Sequence, residues 1–370
     1  MIISSVRTSS FRNLNDSATP TCAPNVFLVG ENGQGKSNFL EALYFCSYAS
    51  SFRGARDLEI VRNGERDFAA ALSIAGDETV SSDILVKFEK GKKTVSIDGK
   101  KIQDRKDLLS VVPCIIFCHE DMEFVSGSPE RRRWFFDQVL SMSDPVYLDD
   151  LRRYRWVLKS RNSALRDNAS RKLGGDLDTL LDALDRQYAL YGIKLMEKRH
   201  EAARLFSQVF APLYRDVSGI AGMEVCYAPS WKIGGEEEVF SRIAARRAAD
   251  AAAGLSLSGP HRDRYAFCLG GAGSGADFAA KASTGQRRLL ALLLRVAQAR
   301  RYAQASGKNP ILLLDDVLLE MDGEKRRRFL LSLPPCDQAF YTFLPDEPYQ
   351  RYRSGDTLVY RVYDGKLQAE

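Results

Sequence analysis

Short apolar runs and amphipathic stretches follow one another along this chain as strands, then helices, then strands and helices again. Ile3, Val6 and Phe11 alternate with polar neighbours, a turn follows at Thr19-Pro20, and the run at 26–29 predicts a buried strand. A helix beginning at Lys36-Ser37 carries Phe39, Leu40, Leu43 and Tyr44 on a core side. The stretch 58–61 fits either type. Residues 68–74, 83–88 and 94–97 predict antiparallel strands joined by turns at Gly76-Asp77, Gly91-Lys92 and Asp98-Gly99. The continuous apolar run at 111–118 predicts a strand covered on both faces.

The pattern breaks at Ser126-Gly127-Ser128-Pro129. From Glu130 to about Ala211 the periodicity is helical and strongly charged, punctuated by Pro145, Gly174-Gly175 and Pro212. Strand character returns at 223–227 and around 264–269. The glycine-rich stretch 270–275 has apolar strands on both sides, so it reads as a hairpin turn rather than a dinucleotide fingerprint. An apolar helix follows at 287–305, and Pro310 introduces a short strand at 311–314. The expected fold class is α/β in three parts: 1–129, a helical lid or arm at 130–222, and 223–370.

The strand at 26–29 ends in Gly30-Glu31-Asn32-Gly33-Gln34-Gly35-Lys36-Ser37, followed by Asn38. This is the G-x-x-x-x-G-K-[ST] pattern, with the strand before it and the helix after it that the motif requires. Glycines let successive backbone N–H groups face one anion, and the helix adds its positive end. Lys36 can reach the β- and γ-phosphates of a nucleotide, and the Ser37 hydroxyl can ligate Mg2+. A plain glycine turn before a helix would use similar letters, but the flanking strand favours a nucleotide-phosphate site. Asp315 and Asp316 close the apolar strand 311–314, where ligands of open α/β sheets bind. Asp315 would serve Mg2+, and Asp316 would orient or deprotonate the attacking water. Ser283-Thr284-Gly285-Gln286 opens a helix just upstream, as either an ordinary N-cap or a second anion site.

Composition adds bounds. A chain of 370 residues with 45% hydrophobic content can bury a large core in two or three domains. The N-terminus lacks the apolar run of a signal peptide. The densest apolar stretch, 289–296, is interrupted by Arg295 and is too short to cross a bilayer, so a cytoplasmic protein is expected. Seven cysteines with no C-x-x-C pair predict reduced thiols. Cys114 and Cys118 sit at strand spacing in VVPCIIFC and read as buried thiols, not zinc ligands with His119. The net charge of +5 is modest, but basic residues gather at 87–106 and 131–172. Such runs are usually solvated faces.

The order of phosphate loop, Ser-Thr-Gly-Gln helix and apolar-Asp-Asp strand is similar to that of ABC-type ATPases. Within that class the chain resembles the RecF family of bacterial recombination-repair ATPases over nearly its whole length. The resemblance rests on Phe11-Arg12-Asn13, GENGQGKSNFLEALY, Ser51-Phe52-Arg53 and Glu120-Asp121 with GSPERRRWFFD. It continues through SLSGPHRD at 256–263, residues 282–286, and LLLDDVLLEMD at 312–322. It implies an ATPase head of mixed parallel and antiparallel sheets with an inserted helical subdomain, and ATP and Mg2+ as cofactors. It further implies an ATP-dependent homodimer that binds double-stranded DNA near single-strand gaps and helps RecO and RecR load RecA. Weak DNA-stimulated hydrolysis would act as the release switch.

Carried over, Gly30 to Asn38 hold phosphate, with Lys36 and Asp316 catalytic and Ser37 and Asp315 on the metal. Ser283, Gly285 and Gln286 form a signature acting on the partner's nucleotide, and Glu320 and Asp322 lie in a segment that crosses to the partner. Arg12 and Arg53 become nucleotide contacts. Arg131, Arg132, Arg133, Arg152, Arg153 and Arg155 are candidate DNA contacts. The chain departs from the family pattern at Cys118-His119, Arg264, Arg287-Arg288 and Leu319. No switch histidine stands near Thr342, which takes part of its place. The rival readings are a transporter-type ATPase subunit and a nucleotide-gated DNA clamp that does not hydrolyse ATP.

Overall fold

The computed structural model describes the chain except residues 76–81, 105, 170–175, 233, 271–276, 319–320 and 322. The turn at Gly76-Asp77, Gly174-Gly175, most of the glycine-rich stretch after Gly270, Leu319, Glu320 and Asp322 lie outside the described residues. The fold is mixed α/β, in two compact units: Met1–Asp121 with Tyr302–Glu370, and Met122–Arg301. These differ from the three expected parts. Residues 223–301 group with the helical segment, and among the described residues the strands at 223–228 and 264–269 pair with each other.

In the first unit the chain runs β1 (Ile2–Ser9), β2 (Ser17–Pro20), β3 (Asn25–Val29), α1 (Lys36–Tyr48) and a short α2 (Asp57–Ile60). It continues through β4 (Phe68–Ala75), β5 (Ser82–Glu89), β6 (Lys92–Ile97), β7 (Lys100–Lys101), α3 (Lys106–Val111) and β8 (Cys114–Phe117). The antiparallel sheet has the order β2-β1-β4-β5-β6-β7. Phe68, Ala70, Leu72 and Ile74 alternate inward along β4, as a sheet with one covered face requires. The expected strand at 111–118 is shorter than predicted. Pro113 cannot continue a helix and disfavours helical backbone before it, so α3 ends and β8 begins around it.

The second unit holds α4 (Met122–Ser126), α5 (Pro129–Ser143), α6 (Pro145–Ala169), α7 (Asp176–Ser218), β9 (Met223–Ala228) and α8 (Glu236–Ala253). After β10 (Arg264–Leu269) and α9 (Phe278–Lys281) comes α10 (Thr284–Ser306). The first unit resumes with β11 (Ile311–Leu314), α11 (Gly323–Ser332), β12 (Ala339–Phe343), β13 (Thr357–Tyr363) and β14 (Lys366–Ala369). Its second sheet has the order β14-β13-β3-β12-β11-β8, with β13, β3, β12, β11 and β8 parallel. The core strands β8 and β11 are buried at every position, which explains their unbroken apolar sequence. The predicted apolar stripe on α1 proves too narrow. The helix packs against both sheets, and even Glu41 is fully buried.

Pro212 was expected to end the helical region, yet it lies inside α7. The turn beyond it buries Leu213, Tyr214 and Val217, and that burial offsets the hydrogen bond proline cannot donate. The helix α8 escaped the periodicity reading. Its ends carried the signal: three glutamates in the first turn and Gly254 in a left-handed C-cap.

Arg161 and Arg199 are consumed inside the second unit. Arg161 donates to Asp185 at 2.6 Å, and to Asp250 and Ser256 at 2.8 Å each. Arg199 bridges Asp137 and Asp263 at 2.8 Å each and donates to the Pro260 carbonyl at 2.7 Å. The Gly-Pro-His-Arg-Asp segment is therefore pinned to α7. His261 completes the pin. Its Nδ1 meets the Tyr154 hydroxyl at 2.8 Å and its Nε2 meets the Ser256 carbonyl at 3.0 Å. Burial pushes the imidazole pKa down to about 4, so the ring is neutral here.

Arg199→Leu leaves Asp137 and Asp263 buried without their counter-charge. The variant is expected to unfold with a loss of about 3–5 kcal/mol, read as a lower denaturant midpoint for the second unit.

Candidate nucleotide-binding site

Parallel pairing puts the carboxyl ends of β3, β12 and β11 on one edge of their sheet. The Gly30 N–H donates to the Phe343 carbonyl at 3.1 Å, so the loop leaves the sheet beside the end of β12. A Cβ on Gly30 would lie 2.3 Å from the Val362 carbonyl oxygen, which makes glycine obligatory there. Gly33 and Gly35 take φ of 80° and 113°, which curls the loop. Lys36 is buried, and its Nζ donates to the carbonyls of Gly30 at 2.7 Å and Glu31 at 3.0 Å. The ammonium thus stands inside the curve.

Neighbouring segments brace the loop. Asn13 donates to the Gly33 carbonyl at 3.1 Å and accepts from Asn38 at 2.7 Å. Gln34 accepts from the Asp364 N–H at 2.7 Å through its side chain and from the Gly365 N–H at 2.9 Å through its carbonyl. Asn32 and Glu31 are exposed at the tip.

The Ser37 hydroxyl donates to Asp315 Oδ1 at 2.7 Å across 278 residues of chain. The loop and the acid pair therefore meet. The Thr342 hydroxyl accepts from the Asp316 N–H at 2.8 Å, and its proton is within reach of Asp316 Oδ1 at 2.9 Å and Asp315 Oδ1 at 3.2 Å. Asp316 takes a left-handed φ of 50°, a strained backbone for a residue with a side chain. Burial, reinforced by the Asp316 charge, pushes the Asp315 pKa up to about 6, against the hydrogen bond from Ser37 that lowers it. A hydroxyl and a carboxylate side by side form a hard-oxygen pair suited to Mg2+.

The two arginines part company. Arg53 Nη1 donates to Asn38 at 2.9 Å, and its Nη2 lies 4.0 Å from Asp315, so this side chain reaches the site. Arg12 instead forks onto Glu41, with Nε at 2.9 Å and Nη2 at 3.0 Å, and donates to the Glu59 carbonyl at 2.7 Å. Arg12 thereby holds a buried carboxylate, which Arg53 also approaches at 3.7 Å. Glu41 itself went unremarked in the sequence, although a carboxylate on the inward side of a helix requires such a partner.

Ser283, Gly285 and Gln286 belong to the second unit. The Ser283 N–H donates to the Gln286 side chain at 2.8 Å, and the Gln286 N–H donates to the Ser283 hydroxyl at 3.3 Å. This reciprocal cap starts α10 and leaves Ser283, Thr284 and Gly285 exposed.

Among the candidate DNA arginines, Arg132 is corrected. Its guanidinium donates to the Tyr265 and Val125 carbonyls and to Asp277, and stacks 5.3 Å over Phe267. It holds the unit together and is not offered to a ligand. Arg131, Arg152, Arg153 and Arg155 are exposed on α5 and α6, and Arg133 is partly so. In the cluster at 87–106, Lys93 pairs with Asp57 at 2.6 Å. Cys114 and Cys118 are buried, and burial pushes the Cys114 thiol up to about 12. Among the described residues no acid, histidine and cysteine cluster fits a metal, and no helix is long and apolar enough to cross a membrane.

The family described as RecF/RecN/SMC N terminal domain matches residues 2–341. The DNA replication and repair protein RecF of Treponema pallidum is 43% identical over 358 residues, covering 96% of this chain and 98% of that protein. Its counterpart in Synechococcus is 31% identical, covering 92% and 91%. A solved structure of the recombination mediator protein RecF with ATP, in the RecFOR pathway, superposes with a TM-score of 0.89 at 26% identity. It covers 100% of this chain and 97% of that one. An Smc head from Pyrococcus furiosus, bound to the C-terminal domain of ScpA, gives 0.54 at 14% identity over 100% and 96%, a likeness of fold alone.

Because its pKa is raised, Asp315 favours the folded state while protonated. That advantage is lost as pH rises through about 6. In EDTA and without nucleotide, Asp315→Asn is expected to be more stable than the parent near neutral pH by about 3 kcal/mol, and nearly equal to it below about pH 4. Thermal melts across that range check the sign.

Proposed function

The chain belongs to the RecF family, and from that premise we propose that it is an ATP-dependent DNA-binding protein of recombinational repair and replication-fork maintenance. The observation that carries this reading is the Ser37–Asp315 bond, which joins phosphate loop and acid pair at one place. The names of its relatives and the RecF–ATP structure support it.

The loop amides and Lys36 bind the β- and γ-phosphates of ATP, and Ser37 and Asp315 hold Mg2+. When bound, the metal supplies positive charge against the phosphate oxygens. Asp316 orients the attacking water and accepts its proton, with Thr342 fixing the carboxylate from behind. A second copy of the chain lends Ser283, Gly285 and Gln286 to the same triphosphate, so ATP closes a head-to-tail dimer. Catalysis is mainly positional and electrostatic, which suits a slow switch rather than a fast enzyme.

In the dimer, Arg131, Arg152 and Arg153 meet duplex phosphates near single-strand gaps, and Arg133 and Arg155 contact the DNA beside them. Such contacts are independent of sequence and sensitive to salt. DNA stimulates weak hydrolysis, which opens the dimer and releases the DNA. The protein works in the cytoplasm with RecR and RecO, and through them on the loading of RecA.

Ser283→Arg is expected to bind ATP as a monomer but to form no ATP-dependent dimer in sedimentation velocity. A variant that still dimerises overturns the shared site. Asp316→Asn is expected to keep ATP and DNA binding while phosphate release falls about a hundredfold or more. Unchanged release would remove Asp316 from the chemistry.

A further inference from the structure

A cavity of about 390 Å3 opens beside α5 and α6, with Glu130, Arg133, Trp134, Asp137, Arg155 and Arg262 on its wall. Its charge is unbalanced. Arg199, also on the wall, is spent on Asp137 and Asp263. That leaves Arg133, Arg155 and Arg262 facing Glu130 and a 3.4 Å contact from Arg155 to Asp137. Arg133 gives one N–H to the Asp263 carbonyl at 2.7 Å. Burial, and then the charge of Arg199, hold its pKa below the usual arginine range, against the pull of Glu130, Asp263 and Asp137. Arg262 is exposed and has no hydrogen-bond or ion-pair partner for its side chain among the described residues.

The aromatic wall is built differently from a core side chain. Trp134 is 39% exposed, and its ring stacks on Phe124 at 5.7 Å with 28° between planes. The indole is thus a plate backed on one side. A guanidinium cluster matches phosphate geometry, and a backed indole offers a π face to a flat ring. Either feature alone is common on surfaces. Their meeting in one cavity, of a size within the roughly 300–1,000 Å3 of small-ligand sites, points to a ligand that carries both an anion and a ring.

We propose that this cavity takes one unpaired nucleotide of single-stranded DNA, with its phosphate on Arg133, Arg155 and Arg262 and its base on Trp134. The inference rests on the DNA-binding reading above and adds the place where the unpaired strand beside a gap is held. Bases inside a duplex keep their faces stacked on one another, so the indole selects unpaired ones.

The test uses the full chain with ATP and Mg2+ and three fluorescent probes: a blunt duplex, a short oligothymidylate, and a duplex interrupted by a single-strand gap. Trp134→Ala is expected to weaken oligothymidylate and gapped-DNA binding about tenfold and to leave the blunt duplex unchanged. Trp134→Phe, which keeps a stacking face and the packing on Phe124, should restore most of the affinity. Arg262→Gln should flatten the salt dependence of oligothymidylate binding by roughly one phosphate contact. The inference is overturned if Trp134→Ala binds oligothymidylate like the parent, or loses duplex and single strand equally. A parent protein that binds none of the three probes overturns the DNA-binding reading itself.

Discussion

The hydrogen bond from the Ser37 hydroxyl to the Asp315 carboxylate is the constraint on which the first unit turns. For it to form, β3 and β11 must run parallel with β12 between them, so that both strands deliver their ends to one edge. The helix that starts at Lys36 must then lie between two sheets, which forces it to be apolar on nearly every side. The cost is local. Asp315 is buried, and Asp316 holds a strained backbone. Thr342 and Arg53 offset part of that cost by meeting the two carboxylates. A site under this tension is suited to a ligand that brings positive charge with it.

The second unit shows how one residue type divides its labour. Arg161, Arg199 and Arg132 face inward, and their guanidinium groups are taken up by carboxylates and backbone carbonyls. Arg131, Arg152, Arg153 and Arg155, a few residues away on the same helices, face water. Buried ion pairs of this kind are seldom a net source of stability, yet removing one partner is expensive, so they hold α6 and α7 in register once formed. The Gly-Pro-His-Arg-Asp segment belongs to that scaffold through Pro260, His261 and Asp263. It places Arg262 at the surface as a by-product of its own pinning.

Much of the first unit was legible in the chain itself, because its signals are local. A glycine loop between a strand and a helix, and two acids closing an apolar run, are each written in fewer than a dozen residues. The alternation along β4 and β5 needed nothing more than period two. The ends of α8 were equally local, written in its caps rather than in its apolar period.

What the chain could not reveal depended on distance. That Arg12 would meet Glu41, and that Arg132 would meet Asp277, depended on residues 29 and 145 positions away. Pro212 inside α7 and the grouping of 223–301 with the helices were likewise settled by what lay against them. By itself the sequence determined which segment forms the glycine loop and which strands fill a core, since backbone geometry and apolar period act over a few residues. Only the tertiary structure decided which charged side chains remain for a partner, since a charge is claimed by whatever counter-charge the fold brings near.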